Sequence, residues 1–598
     1  MDDKVLLVGI NAKYIHTNLA IRSLQANAGK YAPDVKICEY TINHRREDIL
    51  ACLYREKPDI IGFSCYLWNI NYVLSVACDL KKVLPELTVV VGGPEVSYHP
   101  EEILQQYPYI DLVMAGEGER TFREYLEWWK EDGTEEGLCG VAGLVFRGRK
   151  EKDGTYELIR TMPREGMEMD ELVFPYHDLT GLEHRILYYE SMRGCPFSCS
   201  YCLSSIEKKV RMKSITKTVA ELDFFLINKV PQVKFVDRTF NCHHEHAHEI
   251  WRYIGEHDNG FTNFHFEIGG DLLQEEDFVL LRSFRPGLVQ FEIGVQSTNP
   301  DTVQAIRRTM DLEQLRGNIS RIHENHNIHQ HLDLIAGLPC EDYDSFRRSF
   351  NDVYGMKPDQ LQLGFLKLLD GSYMNEKKTD YDIQYSDRPP YEVLSTKWLS
   401  YADILQLKLV EEMVEVYYNS FQFAATMMYL IRYFDSAFGL YYELGEYYRE
   451  NGLLEKKHSR QDRYEILWAF CVENVCHRKD QEEELRELLT YDLFSRDYVK
   501  NPPSFVRPRS GAVKREVRDF LDREVKEGGI LADRYAGLAT RQLYHMVYMD
   551  LFTIDMEQMA ESGRMKKSSP YYLLFDYRKR NPLNHSAGIC VIQHLTEK

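Results

Sequence analysis

The sequence predicts an α/β protein: a flavodoxin-like (Rossmann-type) domain, a partial TIM-like barrel of six strand and helix units, and a mostly helical C-terminal domain. Three observations predict it. Five short apolar runs alternate with helical stretches over residues 1–145, six more such units follow over 185–395, and from 396 the pattern changes to long amphipathic helices. A chain of 598 residues is also too long for one hydrophobic core.

In the first domain the apolar runs are KVLLVGINA, VKICEYTI, IIGFSCYLW, LTVVVGG and DLVMAGEGE. Between and after them fall helical stretches from about Leu19, from Arg46 to Lys57, through VLSVACDLKKVL, from Glu101, and through FREYLEWW. Apolar strands separated by helices imply a parallel sheet covered on both faces, with ligands at the carboxyl ends of its strands. Residues 146–184 are polar; RGRKEKDGTYELIR resembles a hairpin, and the whole segment reads as a linker. The barrel units begin with ILYYES, VKFVD, FHFEIGG, LVQFEIGVQS, HLDLIAGLP and LQLGFLKLL. In the C-terminal domain, 396–598, tyrosines come in pairs (417/418, 441/442, 447/448), read as core at helical spacing or as a pocket lining. PYYLLFDYRKRNPL and AGICVIQHL would add two short strands there.

A formal charge of -20 repels phosphate backbones, which disfavours nucleic acid as a partner. There is no apolar run of about 18 residues for a membrane span. MDDKVLLVGI lacks the basic region and cleavage site of a signal peptide, so a cytoplasmic protein is expected. The thirteen cysteines are odd in number and scattered, as reduced thiols are; Cys38, Cys52, Cys65 and Cys78 sit in apolar stretches and read as small core residues.

The loop MRGCPFSCSYCLSS stands apart, with Cys195, Cys199 and Cys202 separated by three and then two residues. A structural zinc site has four ligands, and no second pair of suitable spacing lies nearby. Closely spaced thiolates also hold iron–sulfur clusters, and a cubane held by three cysteines leaves one iron open to a substrate. Zinc and simple core cysteines remain the alternatives. NCHHEHAHE further offers His244 and His248 on one helical face, a workable metal pair or a polar helix start.

The CxxxCxxC spacing, with Tyr201 directly before the last cysteine and the loop at the end of the first barrel strand, resembles the radical S-adenosylmethionine (SAM) superfamily. The resemblance implies that the three thiolates hold a 4Fe-4S cluster whose open iron chelates SAM. It places Asp237 and Arg238 of VDRTFN where the methionine amino group is held, in a form that departs from the common Gly-Gly-Glu. Glu267 of FEIG and Glu292, Gln296 and Ser297 of FEIGVQS fall where polar residues meet the ribose and carboxylate. Salt bridges inside the barrel are the other reading of these charged strand residues.

GGPEVSYHPEEILQQYPYIDLVMAGEGE resembles the cobalamin-binding domain that precedes the barrel in the class B type of radical SAM proteins, in a subgroup with a C-terminal helical domain. The resemblance implies a corrin over the strand ends and a cradled nucleotide tail. Gly92, Gly93, Pro94 and Glu95 would meet it, with Asn11, Ser64 and the turn Gly116, Glu117, Gly118 on neighbouring strand ends. A doubly wound domain with another ligand or none is the alternative. The DxHxxG signature of a histidine-ligated cobalt is absent; His16, in YIHTNL, is expected to contact the corrin or its tail, with cobalt ligation the lesser alternative.

The expected activity is reductive SAM cleavage to a 5′-deoxyadenosyl radical and methylation of an unactivated carbon through methylcobalamin. The rival is a radical rearrangement or cyclisation with the same cofactors. A sensor of cobalamin or redox state would leave the cysteine loop idle. The implied partners are a small-molecule or peptide substrate and an electron donor such as flavodoxin or ferredoxin.

Overall fold

All seven residues of β1 (Val5–Asn11) are buried, so this strand lies inside a sheet covered on both faces. The computed structural model describes residues 4–150, 156–527, 529–531, 535 and 538–592. β1 pairs in parallel with β2 (Val35–Thr41) and β3 (Ile60–Ser64), and β4 (Thr88–Gly92) and β5 (Leu112–Met114) continue beyond β3. The parallel order is therefore 2-1-3-4-5, the flavodoxin-like arrangement, whose ligand crevice opens where β1 and β3 diverge. One helical layer buries Val8, Phe63, Val73 and Leu80, and the opposite layer buries Leu7, Val90, Phe122 and Leu126. Of the four cysteines expected in this core, Cys65 is buried, Cys38 and Cys78 are half-buried, and Cys52 is exposed.

The segment read as a linker begins instead as sheet. β6 (Leu144–Lys150) pairs antiparallel with β5, and β7 (Tyr156–Arg160) with β6, extending the sheet to seven strands. Val145 and Phe146 are buried opposite Val113 and Leu112, so the hairpin covers the otherwise open β5 edge. Residues 151–155 of the expected hairpin turn lie outside the described residues.

The chain divides into two compact units: Met1–Ile328 with Gly337–Asp342 and Phe365–Ser400, and His329–Ala336 with Tyr343–Gly364 and Tyr401–Lys598. In the first unit a barrel-like parallel sheet begins at β8 (Leu187–Tyr189) and continues through Gln232–Phe235, Asn263–Ile268 and Val289–Gln296. Strict alternation decides its faces. Val233, Phe235, Phe264, Phe266 and Phe291 are fully buried, and Phe266 and Phe291 lie against Trp251 of the helix His244–Glu256. The register puts Tyr188, Lys234, His265 and Gln290 in one row on the opposite, inner face.

The second unit holds the strand His329–Ala336, most of Gln360–Phe365, and helices including Tyr401–Tyr417, Ala437–Glu450 and Lys479–Arg496. Neighbours on a helix point about 100° apart, so Tyr441 and Tyr448 are buried while Tyr442 and Tyr447 are half-buried. Tyr417 Oη lies 2.7 Å from Tyr448 Oη. These tyrosines are core. The unit closes with an antiparallel sheet of Val547–Ile554, Lys567–Arg580 and Ala587–Ile592. The sequence reading foresaw the last two strands and missed the first; residues 593–595 of the expected AGICVIQHL strand lie outside the described residues. Among the described residues no helix is long and apolar enough to cross a membrane.

Candidate functional site

The loop with three cysteines leaves the barrel-like sheet directly after β8. Met192–Arg193 pairs antiparallel with Arg211–Met212, which closes the loop at its neck. Gly194 has φ 93°, and a Cβ there would lie 2.3 Å from Lys209 O, so only glycine passes this point without displacing backbone. Cys195 N donates to Glu207 O at 3.0 Å, Cys202 N to Cys199 O at 3.2 Å, and Ser200 N to Ile306 O at 2.9 Å. Cys195 and Cys199 are buried, Cys202 is half-buried, and all three are free thiols. Burial pushes the Cys195 thiol up, against hydrogen bonds from Phe197 N and Thr239. Arg308 Nη1 lies 3.7 Å from Cys199 Sγ and 3.4 Å from Tyr201 Oη, a fixed cation beside the sulfur donors.

A cavity of about 560 Å³ opens beside this loop, within the first unit. Asn11, His16, Tyr66 and Trp68 line it from the loops after β1 and β3, the two sides of the crevice expected for this strand order. Tyr188, Lys234, Arg238 and Glu267 line it from the barrel-like sheet. The first loop is pinned: Asn11 Nδ2 donates to His16 O at 3.0 Å, and Asn18 Nδ2 to Ser64 Oγ at 2.9 Å. His16 Nδ1 meets Tyr188 Oη at 2.7 Å, and burial, with Lys13 and Lys234 nearby, holds its pKa below the ordinary value. Tyr66 and Trp68 stack with ring centroids 4.5 Å apart.

A smaller, largely apolar slot of about 130 Å³ runs into the first domain past Ser64, Gly92, Gly93, Gly116 and Gly118. It shares Tyr66, Ala20, Gly118 and Glu119 with the larger cavity. Its glycines keep it open. Gly93 has φ 117° and its Cβ would lie 2.5 Å from Cys65 O, while a Cβ on Gly118 would lie 2.9 Å from Leu24 Cδ2. A broad cavity continued by a glycine-walled slot fits a bulky ring with a tail. Pro94 and Glu95 open the short helix beyond, and Tyr391 Oη donates to Glu95 Oε2 at 3.1 Å.

Ion pairs tie the two halves of this site together. Arg193, two residues before Cys195, lies 3.1 Å from Glu117 Oε2, 2.5 Å from Glu119 Oε1 and 2.9 Å from Glu190 Oε2. Arg211 also pairs with Glu117, which accepts Met167 N at 3.0 Å. Burial acts to raise both carboxyls, but Arg193, with Arg211 at Glu117, holds them below the usual carboxylate range. The Gly116–Glu119 turn and the cysteine loop are thereby held to one another.

The remaining expected residues divide between cavity and framework. Arg238 and Glu267 line the cavity, 3.7 Å apart. Glu292 lies at the next inward position beyond the Gln290 row, 2.8 Å from Lys234 Nζ and 3.0 Å from His265 Nε2. Burial works against its charge, and His265 and Lys234 overcome that, holding its carboxyl well below the usual range. Asp237 is buried and accepts Ser191 N at 3.1 Å and Ser191 Oγ at 2.7 Å; burial pushes its carboxyl up to about 7 against those bonds. Ser297 is buried and donates to Glu341 Oε1 at 2.6 Å. Gln296 has φ 71°, and its Oε1 is buried without a hydrogen-bond partner among the described residues, an acceptor that a bound ligand's N–H or O–H would satisfy. Sequence reasoning missed Arg193 and Lys234; it pointed to the strand-end loop SCYLWN without singling out Tyr66 and Trp68 in it. The signal for Lys234 was present: a lysine in the otherwise apolar VKFV must face a polar interior.

A flavodoxin-like sheet, a barrel-like sheet and a three-thiol loop after its first strand together define a radical SAM architecture with an N-terminal ligand-binding domain. Residues 5–126 match the family model of the B12 binding domain, 189–353 that of the radical SAM superfamily, and 379–575 that of a protein of unknown function (DUF4080). The chain thus carries a stretch that matches the radical SAM superfamily, preceded by one that matches the B12 binding domain. It is 28% identical over 314 residues to the cobalamin-dependent radical SAM methyltransferase TokK of Streptomyces tokunonensis, covering 49% of this chain and 44% of that protein. It is 21% identical over 343 residues to the anaerobic magnesium-protoporphyrin IX monomethyl ester cyclase of Rubrivivax gelatinosus, covering 56% and 60%. The chain thus spans about half the length of the curated relatives it matches. Among solved structures, the cobalamin-dependent S-adenosylmethionine radical enzyme OxsB with aqua-cobalamin bound shares the fold at TM-score 0.57 and 14% identity, over 82% of this chain and 80% of that one. The radical S-adenosylmethionine methyltransferase TsrM of Kitasatospora setae, with cobalamin and a 4Fe-4S cluster bound, gives 0.52 and 16%, over 65% and 79%.

Proposed function

We propose that the chain is a cobalamin-dependent radical SAM enzyme that methylates an unactivated carbon. The observation that carries this reading is the cavity lined both by the β1 and β3 loops of the B12 binding domain and by the inner face of the barrel-like sheet. Cys195, Cys199 and Cys202 would hold a 4Fe-4S cluster, with Tyr201 and Arg308 beside it. Arg238, Glu267 and the free Gln296 Oε1 would meet SAM, with Asp237, Glu292 and Ser297 holding the strand ends in place. The glycine slot would take the nucleotide tail of cobalamin, and Asn11, His16, Glu117 and Glu95 would border the corrin or its tail. Bound there, these groups supply reductive SAM cleavage to a 5′-deoxyadenosyl radical and a transferable methyl group.

The chain's own residues position and shield. Arg193 fixes the cysteine loop against the Gly116–Glu119 turn, so the two cofactor sites hold a constant separation. His16, tied to Tyr188 and held neutral, can face a cationic metal centre without repelling it. Tyr66 and Trp68 offer a stacked aromatic face that a bound ring would cover. The reading places the protein in the cytoplasm, with a small-molecule or peptide substrate and a flavodoxin- or ferredoxin-type donor.

The cyclase relative favours one second reading, cyclisation or rearrangement with the same cofactors. The test is anaerobic incubation of reconstituted protein with SAM, a reductant and a metabolite extract. Methylated product with both 5′-deoxyadenosine and S-adenosylhomocysteine supports methylation. 5′-Deoxyadenosine without methylated product favours the second reading, and no SAM cleavage by protein with an intact cluster overturns both.

A further inference from the structure

A separate set of ligand-type side chains lies between the helices His244–Glu256 and Glu275–Arg282 of the first unit, and none of it lines the cavity. His244 and His248 stand one turn apart on one helix face, with ring centroids 5.6 Å apart. Asp277 faces them with its side chain 1% exposed. Its Oδ2 accepts Gln274 N at 2.9 Å, which fixes the plane of the carboxylate. Its Oδ1 then lies 3.2 Å from His244 Nε2 and 2.9 Å from His248 Nδ1, and the three ligand atoms all fall within 4.8 Å of one another.

We propose that His244, His248 and Asp277 bind a divalent cation of the zinc class. Zinc held at 2.0–2.2 Å by nitrogen and oxygen donors separates tetrahedral neighbours by roughly 3.3 Å, so small side-chain shifts convert the present contacts into a coordination shell. A backbone N–H on the second carboxylate oxygen is the kind of support that orients a metal ligand. The imidazoles are 28% and 25% exposed, which leaves a fourth position open to water. The ligating nitrogens give their lone pairs to the cation, and each neutral imidazole carries its proton on the other ring nitrogen. No electron moves, and the cation clamps the two helices together. The nearest competing arrangement is one carboxylate oxygen accepting two imidazole N–H groups with no metal.

The test uses the full chain with its cluster reconstituted. It is loaded with Zn²⁺, desalted and assayed for metal, then titrated with Co²⁺ and followed by visible absorbance. Native protein should retain one zinc per chain, show tetrahedral Co²⁺ bands and melt at higher temperature with zinc than without. His248→Ala, at a partly exposed helical position, should bind at least about tenfold more weakly and lose the zinc-dependent rise in Tm. Asp277→Asn should behave likewise; if it does not fold, His248→Ala decides alone. The variant Cys195→Ala/Cys199→Ala/Cys202→Ala should keep its zinc. No zinc on the native chain, or unchanged binding in His248→Ala, overturns the proposal. So does loss of zinc in the cysteine variant, which would assign the metal to the cysteine loop.

Discussion

Arg193 is a point on which three carboxylates converge, those of Glu117, Glu119 and Glu190. Its removal leaves Glu119, 7% exposed, without its cation. Breaking a buried pair from one side costs about 3–5 kcal/mol. Arg193→Ala should therefore lower the stability of the first unit by that order in urea titrations and weaken hydroxocobalamin binding, with Arg193→Lys falling between. An alanine variant of native stability would show that the cluster is solvated and idle. Asp237 makes a prediction of opposite character. Its folded pKa of about 7 stands above the ordinary aspartate value of 3.8, so between those limits the folded state keeps a proton that the unfolded chain has lost. Its contribution to stability is full below that window and falls as pH rises through it. Asp237→Asn keeps an acceptor for Ser191 and has nothing to ionise, so its stability relative to the native chain should rise between about pH 4 and 7 and then level off. Thermal melts across that range give the answer, and a constant difference would contradict it. Neither residue's partners could be read from the sequence, since they lie 46 or more positions away in the chain, except Glu190. What the sequence does display is the type of residue, a charge beside the cysteine motif and a carboxylate after an apolar strand.

At the scale of elements, the legible parts were those in which local pattern and burial agree. β1 is apolar up to Asn11 at its end and lies inside the sheet, and the three cysteines needed only their spacing to be singled out. Two elements departed from the sequence reading for physical reasons. The hairpin of β6 and β7 was legible as a hairpin but not as part of the sheet, because its outer strand β7 is a polar, largely exposed edge that carries little hydrophobic signal. Val547–Ile554 is a short apolar run, and such a run fits a buried helix turn as well as a strand until its partner, Lys567–Arg580, is known. The β4 turn gives the clearest test at this scale. With φ at 117° and Cys65 O 2.5 Å from any added Cβ, Gly93→Ala must strain or shift the turn that walls the slot. It should cost about 1–3 kcal/mol in stability and reduce hydroxocobalamin binding more than any change on the exposed faces of the first domain. Unchanged binding in a stable Gly93→Ala would mean that the slot is not where the tail enters.

For the molecule as a whole, the question is whether the two sites depend on each other for assembly or only for reaction. Every residue of the glycine-walled slot belongs to the first domain, from Leu7 to Phe122, and none comes from the cysteine loop. The larger cavity, by contrast, takes residues from both sheets, including Arg193 at the base of the cysteine loop. Tail binding should therefore survive loss of the thiols, while any reaction that needs both sites should not. The Cys195→Ala/Cys199→Ala/Cys202→Ala variant keeps Gly194, Arg193 and the neck pairing of Met192–Arg193 with Arg211–Met212, so the loop retains its anchors. It should show no iron, no sulfide and no broad cluster absorbance after anaerobic reconstitution, bind hydroxocobalamin within about twofold of the native affinity, and release no 5′-deoxyadenosine from SAM. Iron and sulfide that persist would remove the cysteines as ligands. Loss of cobalamin together with the cluster would instead mean that the first domain is organised by the second, and that the slot is built only when the cysteine loop is loaded.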